Sequence, residues 1–268
     1  MKKIRRFMPE LPEVEMARRY LEGAALHQTI KMAEVRDERI LFKVPARVLE
    51  KALAGQQFFS ARRHGKRLFL EVHDALWLAL HLGLTGSLIY LESEAALPRH
   101  TRLLIAFENG RALAFDDPRI FGEVSLTKSP QAFLEERKIG PDAQQIDREG
   151  FLKIMSGRKG LIKPALLNQS LVAGLGNLYA DEALFQAGIS PEARGLDEVQ
   201  LDALFSSIQE VLRTALSTNA DLEKLPDSYL LAHRHPGGRC PRDGSLLLRE
   251  KIGGRTSYYC PEHQKKSC

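Results

Sequence analysis

The apolar pattern of this chain changes period once, near Ser129, and so divides it into a strand-forming part and a helix-forming part. Between about 29 and 126 the apolar residues come in short runs, at 57–62, 67–72, 76–81, 87–91, 103–107 and 112–115, the length and spacing of strands. Asn109-Gly110 separates two runs and His64-Gly65 another pair; Asn-Gly in that position is a strong hairpin signal. Many short strands on tight turns predict a sandwich or barrel-like domain. Beyond Ser129 helices are expected near 131–138, 147–156, 163–172, 177–187 and 197–217. In the last, Leu201, Leu204, Phe205, Ile208, Val211, Leu212, Ala215 and Leu216 form one stripe, which predicts a buried face. A further helix is expected over 13–25, with Pro12 in its first turn. Residues 218–239 read as loop, and 240–268 as a tail with two strands, 246–250 and 256–259.

Charge is concentrated at the ends. Residues 231–268 carry a formal +5 and residues 1–8 carry +4, which leaves 9–230 at −4. Such ends suit local contact with a polyanion, or are simply solvated. No apolar run could cross a bilayer, and the basic start leads into Pro-Glu-Leu-Pro rather than a signal core. An intracellular, cytoplasmic protein is therefore expected. Cys240, Cys260 and Cys268 all lie in the last 29 residues, too few and too late for a disulfide framework.

Chemistry concentrates in a few segments. In Met8-Pro9-Glu10-Leu11-Pro12, clipping after the methionine leaves an N-terminal proline, a secondary amine able to attack C1′ of a deoxyribose and form an iminium. Glu10 could open the sugar ring or shuttle its proton; the same residues also suit a plain helix start. Ala173-Gly174-Leu175-Gly176-Asn177 joins two helical segments, and its amides with the next helix N-terminus could bind phosphate, or Asn177 could cap that helix. In Asp117-Pro118-Arg119-Ile120-Phe121-Gly122 an Arg and a Phe could wedge between base steps, or be a surface Arg and a core Phe. Lys66 projects from a turn, towards phosphate, nucleophile or solvent; His81, before a glycine-rich turn, could be a catalyst or a satisfied core group. The tail reads Cys240-Pro-Arg-Asp243, sixteen residues, then Cys260-Pro-Glu-His263. This spacing matches one tetrahedral zinc ion in a ribbon, with Cys268, His235 or His233 as alternatives to Asp243, and a metal-free hairpin as the other reading.

Together these segments resemble the formamidopyrimidine-DNA glycosylase and endonuclease VIII family, and the formamidopyrimidine branch in the Leu-Pro of the start. The resemblance runs from Pro9 to Gln264 through Pro-Glu-Leu-Pro-Glu-Val-Glu, His-Gly-Lys at 64–66, His-Leu-Gly-Leu-Thr-Gly at 81–86, Asp-Pro-Arg-Ile-Phe-Gly at 117–122, 173–185, and Gly-Arg-Thr-Ser-Tyr-Tyr-Cys-Pro at 254–261. It implies an α+β fold: an N-terminal helix with a two-layer β-sandwich over 9–128, a helix-two-turn-helix domain over 129–230, and a zinc-ribbon hairpin over 231–268, with DNA in the cleft between lobes. It implies a bifunctional glycosylase and abasic-site lyase of base-excision repair. Carried over, Pro9 is the Schiff-base nucleophile, Glu10 its acid/base partner and Lys66 an aid to strand cleavage by β- then δ-elimination. Asn177 and Arg255 grip phosphates, Arg255 also serving the last elimination; His81, His100, Arg119 and Lys159 line the DNA path. Leu84, Arg119 and Phe121 fill the hole left by the flipped base, whose extrusion costs a few kcal/mol. Cys240, Asp243, Cys260 and His263 hold one structural zinc. The implied partner is damaged double-stranded DNA, with no membrane and a monomeric protein.

The chain departs from the family at Leu84, usually Met, at Asp243 and His263, usually Cys, at Asn168-Gln169, usually Asp-Gln, and in the short 218–239 segment. A non-catalytic binder of damaged DNA, with Pro9 blocked by residues 1–8, is the rival reading. A zinc-ribbon regulator leaves the Pro9 segment unexplained.

Overall fold

The computed structural model describes residues 8–73, 75–93 and 97–265. They form two compact units, one of Glu13–Lys138 with Met8 and Pro9, the other of Ile139 onward with Glu10–Pro12. No helix among the described residues is long and apolar enough to cross a membrane.

In the first unit, helix α1 (Leu11–Ala24) carries Pro12 in its first turn and buries Val14 and Leu21. Eight antiparallel strands follow: β1 (Ile30–Val35), β2 (Ser60–His64), β3 (Arg67–His73), β4 (Leu76–His81), β5 (Ser87–Leu91), β6 (Thr101–Phe107), β7 (Ala112–Asp116) and β8 (Glu123–Thr127). They make two four-stranded sheets, ordered β1-β6-β7-β5 and β2-β3-β4-β8. Alternation sets the faces. Leu68, Leu70, Leu78 and Leu80 from one sheet and Leu103, Ile105, Leu113 and Phe115 from the other share a core, which makes a two-layer sandwich. Phe69, one residue out of phase, instead meets Phe133 edge-on at 5.4 Å. Asn109-Gly110 does turn β6 into β7, but only Gly110 has positive φ (82°). The loop is therefore a three-residue turn with a glycine bulge.

Helix α2 (Ala46–Leu53) and strands β1 and β8 were not among the expected elements. Helix α2 buries Leu49 and Leu53, and its Glu50 accepts the Val35 N–H at 2.9 Å.

The second unit follows the helical pattern. After α3 (Pro130–Glu136), which closes the first unit, come α4 (Arg148–Met155), α5 (Ile162–Leu167), α6 (Asn177–Gln186) and α7 (Glu198–Ser217). The stripe on α7 is buried, with Phe205 only partly so, and Asp197 and Gln200 form a capping box at its start. Helix α5 stops earlier than expected, because Asn168 Oδ1 takes the Ser170 N–H (3.0 Å) and hydroxyl (2.8 Å), a local alternative to helix propagation. Helix α6 is buried all round from Leu178 to Phe185, Asp181 and Glu182 included. The expected loop at 218–239 contains a 3₁₀ turn, Leu222–Lys224, and α8 (Leu230–His233). Strands β9 (Leu248–Ile252) and β10 (Arg255–Tyr259) pair as a hairpin. Its two-residue turn, Gly253-Gly254, has φ of 55° and 79°, the primed geometry that glycine permits.

Candidate active site

Glu10, which shares a peptide bond with Pro9, is buried. Its carboxylate accepts the N–H groups of Gly176 (2.7 Å), Leu178 (2.9 Å) and Tyr179 (3.4 Å) at the start of α6. Three donors on an acceptor-only group suit the ionised carboxylate at the positive end of a helix. This corrects two expectations. The amides proposed for phosphate already hold the protein's own anion, and Asn177 is the first residue of α6 rather than its cap. A Cβ on Gly176 would lie 2.5 Å from Glu10 Oε1, so the glycine makes room for the carboxylate. The preceding turn is stapled by Gln169, which donates to Leu167 and Leu175 carbonyls (2.9 Å each) and accepts the Gly174 N–H (3.0 Å).

In the first unit the structure gathers Lys66, His81, Leu84, His100, Arg119 and Phe121 on connected turns. Lys66 follows Gly65 in the β2–β3 turn, and the next residue, Arg67, pairs in register with His81. Burial pushes the His81 imidazole down to about 3, with Arg67, Lys66 and Arg137 acting the same way. Its Nδ1 accepts the Gly83 N–H at 3.2 Å, so neutral His81 offers an Nε2 proton as donor. The turns at 81–86 and 117–122 pack backbone to backbone: a Cβ on Gly83 would lie 2.5 Å from the Gly122 nitrogen. Buried Asp117 ties them, accepting from Thr85 Oγ1 (2.8 Å) and the Arg119 (3.3 Å) and Gly122 (2.7 Å) amides. Its own N–H donates to the His100 carbonyl at 3.0 Å. Ile120 is held at φ 58°, a costly conformation for a β-branched residue. The turn presents Phe121, 53% exposed, with the Arg119 guanidinium 5.0 Å over its ring.

In the second unit Asn177 and Arg255 come together. Asn177 Nδ2 donates to the carbonyl of Thr256 at 2.9 Å, next to exposed Arg255 at the hairpin turn. A Cβ on Gly253 would lie 2.5 Å from the Pro164 ring, so the turn rests on α5. Lys159 is exposed between α4 and α5.

Cys240, Asp243 and Cys260 bring their ligand atoms within 4.8 Å of one another, and both cysteines are buried. Backbone amides point at both sulfurs, Arg242 N at Cys240 Sγ (3.4 Å) and His263 N at Cys260 Sγ (3.2 Å). Burial raises the Cys240 thiol, whereas hydrogen bonds from Ser245 hold Asp243 well below the usual carboxylate range. His263 is not in that group of three. Its Nε2 lies 2.8 Å from the Phe185 carbonyl oxygen and its ring meets Phe185 edge-on. His233 and His235 hydrogen-bond to the backbone oxygens of Asp227 and Pro236, and Cys268 lies outside the described residues.

Residues 8–124 match the Formamidopyrimidine-DNA glycosylase N-terminal domain, and residues 139–226 the Formamidopyrimidine-DNA glycosylase H2TH domain. The formamidopyrimidine-DNA glycosylase of Heliobacterium modesticaldum is 35% identical over 277 residues, spanning 96% of this chain and all of that one. That of Syntrophomonas wolfei is 36% identical over 274 residues, with the same coverage. The chain belongs to the formamidopyrimidine-DNA glycosylase family. Among solved structures, the formamidopyrimidine-DNA glycosylase of Lactococcus lactis bound non-covalently to DNA containing an abasic site has a TM-score of 0.88 at 32% identity, covering 96% of this chain and all of that one. For a formamidopyrimidine-DNA glycosylase, three features of the site were missed by sequence reasoning: Asp117 as a staple, Glu10 as the α6 anchor, and buried Lys163 and Asp181 beneath the hairpin. The Thr85 partner of Asp117 and the amides that hold Glu10 are distant in the chain; for Asp181 the available signal is a charge inside an apolar helix.

Proposed function

We propose that the chain is a DNA glycosylase with abasic-site lyase activity, acting on damaged bases in duplex DNA through Pro9. The observation that carries this reading is Glu10, a buried carboxylate fixed by three amides one residue from the amine. The Pro9 nitrogen bonds to C1′ as the C1′–base bond breaks and the base leaves with a proton. The ammonium proton then passes to O4′ with Glu10 as relay, which opens the sugar and leaves an iminium. Loss of a C2′ proton expels the 3′ phosphate, and a second elimination expels the 5′ phosphate, with Lys66 and Arg255 assisting. Leu84, Arg119 and Phe121 occupy the space of the flipped base, while His81, His100, Lys159, Asn177 and Arg255 contact the DNA.

Residues 231–268 act as a zinc ribbon. Two buried thiols and Asp243 already converge there, with amides directed at both sulfurs, and this donor set fits zinc. His263 would complete it through Nδ1, because placing the Nε2 proton on a backbone carbonyl is the usual arrangement for a ligating histidine. The ion's contribution is structural.

The segment between α7 and Cys240 bears on substrate. Tyr229 and Leu230 are buried, and the Leu230 and Leu231 amides donate to Glu182. A segment so committed has few amides left to enclose a flipped purine, and base selectivity comes from such pocket contacts. Single-turnover rates for protein beginning at Pro9 test the reading. Abasic sites, ring-opened purines and oxidised pyrimidines should be processed faster than 8-oxoguanine opposite cytosine. Fastest excision of 8-oxoguanine contradicts the substrate reading; no strand cleavage at abasic sites contradicts the lyase and favours the non-catalytic binder.

A further inference from the structure

Beneath the β9–β10 hairpin lies a charge cluster that the proposed reaction leaves unused. Lys163 Nζ, fully buried, lies 2.5 Å from Asp181 Oδ1 and donates to Ser257 Oγ at 2.5 Å. Arg234 reaches the same carboxylate from the short segment after α8, with Nε and Nη2 at 3.1 and 3.0 Å from Asp181 Oδ2. Its Nη2 also donates to the Thr256 carbonyl at 3.1 Å, and the guanidinium lies 5.0 Å over the Tyr258 ring. The Tyr258 N–H closes the cluster on Asp181 Oδ2 at 3.3 Å. Burial opposes charge on both Asp181 and Lys163, and two cations on one carboxylate offset that cost.

Thr256 is the junction. Its carbonyl receives Asn177 Nδ2, Arg234 Nη2 and Lys163 Nζ, and its peptide nitrogen is bonded to Arg255. That carbonyl belongs to the Thr256–Ser257 peptide, so holding it orients the Asn177 amide directly and fixes Thr256, the residue from which the backbone leads back to Arg255. Lys163 and Arg234 both link the carbonyl to Asp181, Arg234 through a planar fork that an ammonium at its position cannot copy.

We propose that Arg234 is a positioning residue for phosphate contact, bracing the Thr256 peptide so that Asn177 and Arg255 present their donors together. The proposal rests on the reading of Asn177 and Arg255 as phosphate contacts. It gives the segment before Cys240 a role as a strut under the hairpin.

The test is a double-mutant cycle on the full chain with a duplex containing an abasic site, measuring affinity as a function of salt. Arg234→Met should bind about tenfold more weakly, the scale of one charge-assisted hydrogen bond, with the log–log salt slope reduced by up to about 0.9. Arg234→Lys should not restore binding, and Arg234→Met/Arg255→Ala should lose less than the product of the two single losses, the remainder being the Asn177 contact. Parent-like binding by Arg234→Met, rescue by lysine, or losses that multiply in the double variant overturn the brace. Should Arg234→Met fail to fold, the same cycle with Arg234→Lys decides: coupled losses support the brace, and parent-like binding or multiplying losses overturn it. If Arg255→Ala binds like the parent, the phosphate reading itself fails and the brace with it; if Arg255→Ala weakens binding and Arg234 variants do not, only the brace fails.

Discussion

Two titrating groups in the interior pull stability in opposite directions with pH. Burial raises the Glu182 carboxyl from 4.5 to about 7 although Gln186 and the Leu230 and Leu231 amides bond to it. The fold therefore holds that proton more tightly than the unfolded chain, and the stability it contributes is lost as pH rises from about 4.5 to about 7. His81, depressed from 6.5 to about 3, acts in the other sense, costing stability as pH falls through that window. Glu182→Gln keeps an acceptor for one of the two amides and removes the ionisation. It should remove a loss on the order of 3 kcal/mol between pH 5 and 8, read from urea unfolding at each pH; an unchanged profile would show that Glu182 titrates in its ordinary range. Neither effect was legible in the sequence. Glu182 lies on an apolar helix, and its partners Leu230 and Leu231 are 48 and 49 residues away.

At the scale of elements, legibility followed periodicity. The α7 stripe and the glycine turns are regular, and they gave their elements directly. Strand β1 hides because its burial does not alternate, a consequence of the register shift between Ile30 and Met32. Strand β8 is five residues with a buried serine, and α2 is eight residues inside a strand-rich stretch. The proposed wedge is a pair of turns, and Gly83 shows what holds them. With φ at 65° and backbone at 2.5 Å from its missing Cβ, Gly83→Ala should cost on the order of 2–4 kcal/mol of stability. Gly110→Ala, at φ 82° with open space around it, should cost about 1 kcal/mol. Equal midpoints in urea would mean that the two turns are not locked together. The hairpin makes a separate prediction. Elemental analysis should find about one zinc per chain, because a closed four-ligand site holds a single ion. Full zinc in Cys240→Ser/Cys260→Ser would refute the site, and loss of zinc in His263→Ala would identify the fourth ligand.

At the scale of the whole molecule, the family was readable from separated motifs, because each motif needs a specific backbone. The glycine before α6 was legible as an anion site, whereas the identity of its anion was not. Glu10 and Gly176 are 166 residues apart, and only the fold brings the start of the chain to that helix. Fixing Glu10 there also fixes where its neighbour Pro9 begins, and the proposed reaction turns on that one nitrogen. Borohydride reduction in the presence of an abasic duplex, followed by peptide mapping of the adduct, tests it most directly. Protein beginning at Pro9 should be trapped in a covalent complex that maps to the Pro9 nitrogen, and protein retaining Met8 should not be trapped. An adduct on a lysine, or equal trapping of the form that retains Met8, would contradict the account.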